Sequence, residues 1–361
     1  MYLQAILGVL MVCSVAAAEA PLFEDVHVVP LPVREYGYRG MPGDMTLLDD
    51  GRLLLAYTHY LPDGSSDGAI ACRYSSDQGK TWGEEAILVA TPPAPGRYAH
   101  PSFVRDGNGG LIMSYIHVAR TEPLFGGNYY RRADGNAASW SDQFIVTPCA
   151  GYNIMHNNKL VRLSTGRLIA PIEFELVTTG SDHAGYVSTV FYSDDNAQSW
   201  LRAKNEVNLL PVEAQEPHVV ELKDGRLMML MRTYSGCVAR AYSEDKGVTW
   251  SAGEKIKELS LPPATSSALN VQRIPSTGDL VLLRCSDGPR EPYRWRTPFV
   301  SIVSKDDGQT WENQRVLMGA PDNDYGYPSL LFLGDMALIS YHQRDGLHVL
   351  RVGVAWFYGE G

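Results

Sequence analysis

The chain has few cysteines and no excess of basic charge, and each shortage excludes a class of protein. Five cysteines among 361 residues are too few and too widely spaced for a disulfide framework or a zinc site. We expect buried free thiols at the four that follow the first 20 residues, which are Cys72, Cys149, Cys237 and Cys285. The formal net charge of −10 argues against nucleic acid as a partner. No cofactor or metal is predicted.

Long apolar runs are also scarce, and the one candidate lies at the N terminus. Residues 3–18 are mostly apolar, and Ala18-Glu-Ala20 fits the A-x-A pattern of a signal-peptidase site. No basic residue precedes this stretch, so a disordered or anchored N terminus is the alternative. We predict a secretory signal over residues 1–20, a secreted or periplasmic location, and no membrane span in the rest of the chain.

A short pattern close to S-x-D-x-G-x-T-W occurs four times. The octets begin at Ser75, Ser193, Ser243 and Ser304. In such an octet, Asp and Gly favour a tight turn in which the carboxylate accepts hydrogen bonds from its own backbone, while the Trp fills the space between neighbouring sheets. Repetition of this turn along the chain is typical of a radially repeated all-β fold.

A second repeat counts six units. Each has an apolar run broken by a glycine turn, at Gly51, Gly110, Gly166, Gly225, Gly278 and Gly334. This spacing suits four short strands plus loops, so we predict a six-bladed β-propeller of four-stranded antiparallel blades, as one domain over residues 21–361. The second unit keeps a degenerate octet ending at Trp140, and the sixth has none. A strand over Val26 to Val33 is expected to complete the sixth blade.

The repeat register also predicts where functional side chains converge. The innermost strands of a propeller begin at one face of the central channel, so matching positions form a ring around one opening. Alignment of the inner strands places four residues at one position: Glu216, Tyr327, His100 and Asn157. The second strands end at the same face, seven residues past the glycines, at Thr58, His117, Glu173, Arg232 and Cys285. Loops between second and third strands add Asp63, Asp67 and Arg296.

This set of side chains indicates an anionic ligand. Arginines and carboxyl groups gathered at one channel mouth cost desolvation energy that a purely structural rim would not need to incur. Arginine suits a carboxylate because its planar fork donates two parallel hydrogen bonds and keeps its charge. The alternative is that Arg232 and Arg296 are solvated strand ends.

The repeats and these residues resemble the sialidase (neuraminidase) superfamily, whose six-bladed propellers carry the octets under the name Asp boxes. The resemblance covers about residues 36–350 and rests on the segment from Gln215 to Arg232, on Arg296 and on Tyr327 in Tyr-Gly-Tyr-Pro-Ser-Leu. It implies that Tyr327 is a nucleophile, that Glu216 takes its proton, and that the two arginines bind a carboxylate.

The implied reaction is retaining hydrolysis of terminal sialic acid, or of a related 2-keto acid glycoside, from glycoconjugates. The substrate carboxylate would repel an Asp or Glu nucleophile, whereas a neutral tyrosine hydroxyl approaches without that cost. An aspartate on the blade-one loop would protonate the leaving oxygen, with Asp63 the first choice and Asp67 the second. We expect sialylated or other acidic-sugar glycans as partners, and a monomer.

Blade one departs from the family pattern. The family begins its first inner strand with Arg-Ile-Pro, whereas Arg39 stands about three positions away from that register, and an arginine expected after the second strand is absent. Asp44, His59, His100 and His156 are candidates to line a reshaped pocket, although a single histidine is more often structural. Two alternatives stay open: a glycosidase for another ulosonic or uronic acid, and a non-catalytic carbohydrate-binding propeller.

Overall fold

A computed structural model describes residues 21–41, 43–93, 96–119, 125–147, 151–177, 183–261, 268–286 and 296–359. Within these ranges the chain forms six antiparallel sheets, and the only helix is a 3₁₀ helix. No helix in this part of the chain has the length and hydropathy needed to cross a membrane. The predicted signal segment and Cys149 lie outside the described residues, so both stay predictions.

The strands, in chain order, are β1 Phe23–Pro30, β2 Gly43–Leu47, β3 Leu53–Thr58, β4 Ile70–Ser75, β5 Ala86–Val89, β6 Arg97–Arg105, β7 Leu111–Ala119, β8 Phe125–Ala133, β9 Phe144–Ile145, β10 Asn153–Ile154, β11 Val161–Arg162, β12 Leu168–Val177, β13 His183–Ser193, β14 Leu201–Arg202, β15 Gln215–Glu221, β16 Leu227–Arg232, β17 Cys237–Ser243, β18 Glu254–Ser260, β19 Asn270–Arg273, β20 Leu280–Cys285, β21 Phe299–Ser304, β22 Glu312–Met318, β23 Gly326–Leu333, β24 Met336–Gln343 and β25 Gly346–Gly353, followed by the 3₁₀ helix Val354–Tyr358.

Five blades are built from consecutive strands, beginning with β2 to β5 as blade one. Blade three divides its inner strand into β10 and β11, which both pair with β12. Blade six consists of β23, β24, β25 and, at its outer edge, β1. The N-terminal strand therefore closes the ring, as predicted, with bounds three residues earlier than expected. The six-bladed architecture is confirmed.

The octets form the turns between the third and fourth strands of their blades. In blade one, Asp77 Oδ1 accepts a hydrogen bond of 2.9 Å from the Thr81 amide, and Asp77 Oδ2 accepts one of 2.6 Å from the Thr81 hydroxyl. The Ser75 hydroxyl accepts the Gly79 amide at 2.9 Å. The same bonds to Ser and Asp recur in the other three octets, so local side chains satisfy the backbone of each turn.

The apolar core lies between adjacent blades, and each octet tryptophan packs at one such boundary. Trp250 belongs to the cluster shared by blades three and four, and Trp82 packs against the cluster shared by blades six and one. Blade six has no octet, and the buried Phe357 of the 3₁₀ helix lies in the cluster between blades five and six. Cys72, Cys237 and Cys285 are buried free thiols, as expected.

Three inner strands share a local distortion where they begin at the channel mouth. His100, Glu216 and Tyr327 have φ values of 57°, 46° and 51°, in the left-handed region that bulky residues rarely adopt. Each lies at a shift in strand register, as in a β-bulge, and bulges re-aim side chains. Because strained backbone often accompanies functional sites, this ring of residues is a candidate functional site.

Candidate functional site

Glu216 and Tyr327 meet at the channel mouth although 111 positions separate them in sequence. The Tyr327 hydroxyl donates a hydrogen bond of 2.9 Å to Glu216 Oε1. The same oxygen accepts a bond of 2.6 Å from Arg232 Nη1 and lies 3.5 Å from His156 Nε2. The alignment of repeats predicts that Glu216 and Tyr327 lie at one level, and the closed ring brings them into direct contact.

Three histidines surround the Tyr327 ring. His156 stacks on it with a centroid separation of 5.6 Å, and His100 and His342 lie at 5.4 Å and 5.8 Å. Burial lowers the pKa of His156 to about 4 and that of His342 to about 3, and it holds the pKa of His100 well below its usual value. These imidazoles are therefore uncharged at neutral pH, and the tyrosine has neutral rings around it.

Two buried glutamates beside the tyrosine differ in charge. Burial raises the pKa of Glu173, and the nearby negative charge of Glu216 raises it further. Burial also disfavours a charged Glu216, but the positive charges of Arg232 and Arg296 and the hydrogen bond from Tyr327 are among the contributions that together outweigh it and lower the pKa of Glu216. Glu173 Oε2 accepts the Glu216 backbone amide at 2.9 Å. At neutral pH the pair thus holds one ionised carboxylate, Glu216, and one neutral carboxyl group, Glu173.

Tyr327 itself stays protonated in this environment. Burial and then the negative charge of Glu216 raise the pKa of Tyr327 to about 12, although Arg296 and Arg232 oppose the shift. The phenol therefore donates its proton to the hydrogen bond with Glu216 and does not lose it at rest. A neutral hydroxyl bonded to an ionised carboxylate is the arrangement of a nucleophile next to its base.

Three arginines lie at the same mouth. Arg232 and Arg296 are 8% and 4% exposed, and the Arg296 guanidinium carbon lies 5.2 Å from the centre of the Tyr327 ring. Arg39 donates bonds of 2.7 Å and 2.8 Å to the two oxygens of Asp324. Burial lowers the pKa of Arg39, but its bonds to Asp324 and the negative charge of that carboxylate raise it overall. Arg39 therefore reaches the site in spite of its shifted position in the sequence.

Asp324 holds Arg39 at the site through hydrogen bonds. It lies three positions before Tyr327, and its side chain is fully buried. Besides Arg39, it accepts the Gly37 amide at 2.8 Å and the Arg296 amide at 3.4 Å. One carboxylate thus joins the N-terminal segment, the blade-five loop and the start of the blade-six inner strand.

Asp44 and Asn157 lie in the wall below the mouth. The Asp44 carboxylate accepts three bonds of 2.7 Å, from the Met45 and Phe103 amides and from the Asn158 side chain, and burial raises its pKa to about 7. The Asn157 amide donates to the backbone carbonyls of Gly43 and Tyr327, both at 2.9 Å. These contacts hold inner strands together, so Asp44 and Asn157 stabilise the backbone beneath the site.

The two candidate acids of the blade-one loop have different environments. Asp63 is exposed, and Oδ1 accepts bonds of 2.6 Å and 2.8 Å from the hydroxyl and amide of Ser65, which lower its pKa. Asp67 Oδ2 lies 2.9 Å from His59 Nδ1. Asp67 precedes Gly68, whose carbonyl accepts the Tyr98 amide at 2.8 Å, so the loop is attached to the inner strand that carries His100.

Sequence reasoning missed Asp324 and His342. Asp324 lies in a loop, where the strand register gives no signal. His342 pairs with Gly326 as Arg232 pairs with Gln215, so the two residues occupy equivalent places. The seven-residue count from Gly334 points to Tyr341 instead, because blade six joins its first two strands by a two-residue turn.

One potential metal-binding group lies in the site. Atoms of His156, Glu173 and Glu216 approach within 4.8 Å of one another. The Glu216 oxygen beside His156 already accepts bonds from Arg232 and Tyr327, and a cation there would face the guanidinium charge. We therefore assign no metal to these three residues.

The comparison with known families agrees with the repeat pattern and the fold. Residues 51–339 match the family model described as a BNR repeat-like domain. The chain belongs to this BNR-repeat family. Similar proteins include a sialidase of Micromonospora viridifaciens, at 27% identity over 87% of this chain and 51% of the relative, and a sialidase of Bacteroides fragilis, at 22% identity over 76% and 54%. The predicted resemblance to the sialidase superfamily is confirmed, and the BNR-repeat chain spans about half the length of these relatives.

Solved structures share the fold of the BNR-repeat chain. The NanB sialidase of Streptococcus pneumoniae superposes with a TM-score of 0.68 at 14% identity, covering 95% of this chain and 72% of that one. A leech intramolecular trans-sialidase superposes with a TM-score of 0.69 at 16% identity, covering 93% and 72%. At these identities the likeness concerns the propeller fold.

Proposed function

We propose that the BNR-repeat chain is a sialidase-like glycoside hydrolase that releases terminal sialic acid from glycoconjugates with retention of configuration. The observation that carries this proposal is the 2.9 Å hydrogen bond from the Tyr327 hydroxyl to an ionised, arginine-bound Glu216. Relatives named sialidase support it.

In the first step, the Tyr327 oxygen attacks the anomeric carbon while its proton passes to Glu216. The pKa of Tyr327 is raised to about 12 and that of Glu216 is lowered, so proton transfer at rest is unfavourable. The proton therefore moves as the new C–O bond forms, because that bond takes up the electron pair that would otherwise leave a negative charge on the phenol oxygen. The bond to the leaving group breaks at the same carbon, and that oxygen takes a proton from an aspartate of the blade-one loop.

In the second step, water attacks the anomeric carbon of the tyrosyl intermediate. The blade-one aspartate, now ionised, takes the proton of the water, and the displaced Tyr327 oxygen regains its proton from Glu216. Two displacements at one carbon restore the original configuration. We propose Asp67 for the acid and base role ahead of Asp63, because the bonds to Ser65 lower the pKa of Asp63 and make it a poor acid at neutral pH.

The substrate carboxylate would be bound by Arg39, Arg232 and Arg296. Burial of Arg232 and Arg296 strengthens their attraction for an anion, because little water screens it. Binding this carboxylate next to an ionised Glu216 is tolerable only because several guanidinium groups offset the repulsion. A carboxylate on the sugar gains a favourable charge interaction with these guanidinium groups that a neutral sugar lacks, so the site favours acidic sugars.

The test is release of a fluorophore from the α-glycoside of N-acetylneuraminic acid by the full chain, with Tyr327→Phe in parallel. We expect turnover by the natural chain and its loss in the variant, which keeps the ring and its packing. Turnover that survives in Tyr327→Phe would exclude this nucleophile. A folded natural chain that cleaves only another ulosonic or uronic glycoside would support the alternative that the enzyme acts on a different acidic sugar. The departure of blade one from the family pattern is the reason to consider that alternative.

We also propose that the protein is exported and that residues 1–20 are removed. N-terminal sequencing of material recovered from the periplasm or the medium tests this. A mature N terminus at Pro21 would support the proposal, and an intact Met1 on exported protein would contradict removal of the segment.

A further inference from the structure

A buried histidine of blade one lies between two carboxyl groups. His59 directly follows β3, and its side chain is 11% exposed. Its Nδ1 lies 2.9 Å from Asp67 Oδ2, and its Nε2 lies 3.1 Å from Glu85 Oε1. Asp67 belongs to the loop between β3 and β4, and Glu85 stands immediately before β5. The proposed reaction uses Asp67 but gives no role to His59 or Glu85.

The number of protons shared by these three side chains follows from their contacts. A ring nitrogen and a carboxyl oxygen at hydrogen-bond distance attract each other only if one of them carries a proton, because two lone pairs repel. With both contacts formed, Asp67, His59 and Glu85 together hold two protons. Either both protons lie on the imidazole, or one of them lies on a carboxyl group.

Glu85 accepts hydrogen bonds at both of its oxygens, which fixes the place of one proton. Two further groups, Tyr57 on β3 and Arg73 on β4, face its other oxygen. The Tyr57 hydroxyl donates a bond of 2.5 Å to Glu85 Oε2, and burial together with this bond raises the pKa of Tyr57, so the phenol keeps its proton. Arg73 Nη2 lies 3.9 Å from the same oxygen and favours its negative charge. His59 Nε2 therefore carries the proton of its bond to Glu85.

The second proton belongs to the contact between His59 Nδ1 and Asp67 Oδ2. A carboxyl group in water loses its proton near about pH 4, whereas an imidazolium loses one near about pH 6.5. The imidazole is thus the more basic partner and holds the second proton at rest. Because coupled groups titrate as a set, the histidine keeps a proton beside Asp67 at a higher pH than a carboxyl group would by itself.

We propose that His59, supported by Glu85, is a positioning residue that orients Asp67 and holds the proton that Asp67 gives to the leaving group. This inference rests on the proposed function, in which Asp67 is first the acid and then the base. As the leaving group departs, the Nδ1–H bond breaks, Asp67 passes the proton on, and an O–H bond forms at the leaving oxygen.

The same contact then favours the second step. Once the shared proton has gone, the bare Nδ1 of His59 faces the ionised Asp67 Oδ2, and the two lone pairs repel each other. This repulsion makes Asp67 a stronger base toward the attacking water. The proton taken from that water restores the hydrogen bond between Asp67 and His59, so the three side chains end the cycle with the two protons they had at its start.

The experiment compares pH–rate profiles of the full chain on a sialyl-oligosaccharide and on a nitrophenyl sialoside. His59→Gln keeps an amide donor for Asp67 but no titrating proton, and it should lower kcat on the oligosaccharide about tenfold or more at pH 7, with a smaller loss toward pH 5. Glu85→Gln removes the charge that supports the protonated imidazole, so the fall in rate at high pH should begin at a lower pH. On the nitrophenyl sialoside both losses should be much smaller, since that phenolate leaves unaided.

The matched control is His27→Gln, which removes an exposed histidine of β1, on blade six. It should keep the natural pH profile on both substrates. Nuclear magnetic resonance spectra of the ¹⁵N-labelled chain add a readout that needs no turnover. His59 Nδ1 should lose its proton over the pH range in which the rate on the oligosaccharide falls, while Nε2 keeps its own.

Two results would overturn the inference: an unchanged pH profile in His59→Gln, or an Nδ1 without a proton at the pH where the natural chain is most active on the oligosaccharide. Failure of the natural chain to cleave either substrate would instead overturn the proposed function. The titration of the ring nitrogens would still show in that case whether His59 holds a proton toward Asp67.

Discussion

At the residue scale, the environment and not the residue type decides what each side chain can do. Glu173 and Glu216 are both buried, yet burial and the negative charge of Glu216 raise the pKa of Glu173, whereas Arg232, which bonds to Glu216, and other nearby groups lower the pKa of Glu216. The tyrosine next to them keeps its proton. The site therefore holds a neutral phenol, the proposed nucleophile, and an ionised carboxylate, the proposed base, at the same pH.

The choice between the two blade-one acids can be tested with leaving groups of different basicity. Asp67→Asn should lower kcat on a sialyl-oligosaccharide by about 10²- to 10⁴-fold, because the sugar alkoxide needs a proton to leave. On a nitrophenyl sialoside the loss should be much smaller, since that phenolate leaves unaided. Asp63→Asn is the matched variant and should stay near the natural rate on both. A reversal of the two results would assign the role to Asp63.

Arg39 should contribute to substrate binding although it is displaced in the sequence. Arg39→Ala is expected to raise KM for an acidic sugar by about tenfold or more, because a hydrogen bond between charged groups is worth roughly 1.5–3 kcal/mol. Arg52→Ala serves as the control, because Arg52 is an exposed arginine in the first turn of the same blade, paired with Asp50. An unchanged KM in Arg39→Ala would leave the carboxylate to Arg232 and Arg296.

At the element scale, each of the four octets joins a local turn to a contact with a neighbouring blade. Their hydrogen bonds are local, because backbone amides two to four residues away donate to the Ser and Asp side chains, so the turn depends on residues within the octet. The tryptophan that ends each octet instead packs across a blade boundary. A hairpin by itself is only marginally stable. The turn and the tryptophan together stabilise it as part of a blade that packs against its neighbour.

Trp250 provides the test of that role. It is 5% exposed and lies in the cluster with Ile169 and Leu227. Trp250→Ala should lower the free energy of unfolding by about 3–5 kcal/mol through the lost contacts and the cavity left behind, while activity per folded molecule stays the same. Leu201→Ala, at a strand position that is 58% exposed, should change it by less than about 0.5 kcal/mol. Lost activity at unchanged stability would contradict a packing role.

At the scale of the whole molecule, closing the ring places titratable groups where water does not reach. His342 is fully buried, and burial lowers its pKa to about 3. The unfolded chain binds a proton there near the usual pKa of about 6.5. The stability that this group contributes is therefore complete above that pH and is lost as pH falls toward the folded-state value.

His342→Phe should make the stability less sensitive to acid. Between pH 6 and pH 4, the slope of unfolding free energy against pH should decrease by about 1.4 kcal/mol per pH unit relative to the natural chain. Urea unfolding at several pH values measures both slopes. Above pH 7.5 they should agree, because the histidine is then neutral in both states. Parallel curves down to pH 4 would show that His342 is protonated in the fold.

The sequence by itself determined the number of blades and the level at which Glu216 and Tyr327 lie. Both follow from local chemistry repeated at a regular spacing: glycines for tight turns, octets for hairpin ends, and a strand register that carries side chains to one face or the other. The sequence also predicts the N-terminal closing strand, because the outer edge of the sixth sheet would otherwise lack a fourth strand.

Only the tertiary structure decided which distant groups touch and what charge they hold. The bond between Arg39 and Asp324 joins residues 285 positions apart, and His342 enters the site through a turn shorter than its counterparts. The charge states of Glu173 and Glu216 depend on burial, on the interaction between the two carboxyl groups and on the nearby guanidinium groups. These properties depend on contacts between residues of different blades, and such contacts form only when the ring closes.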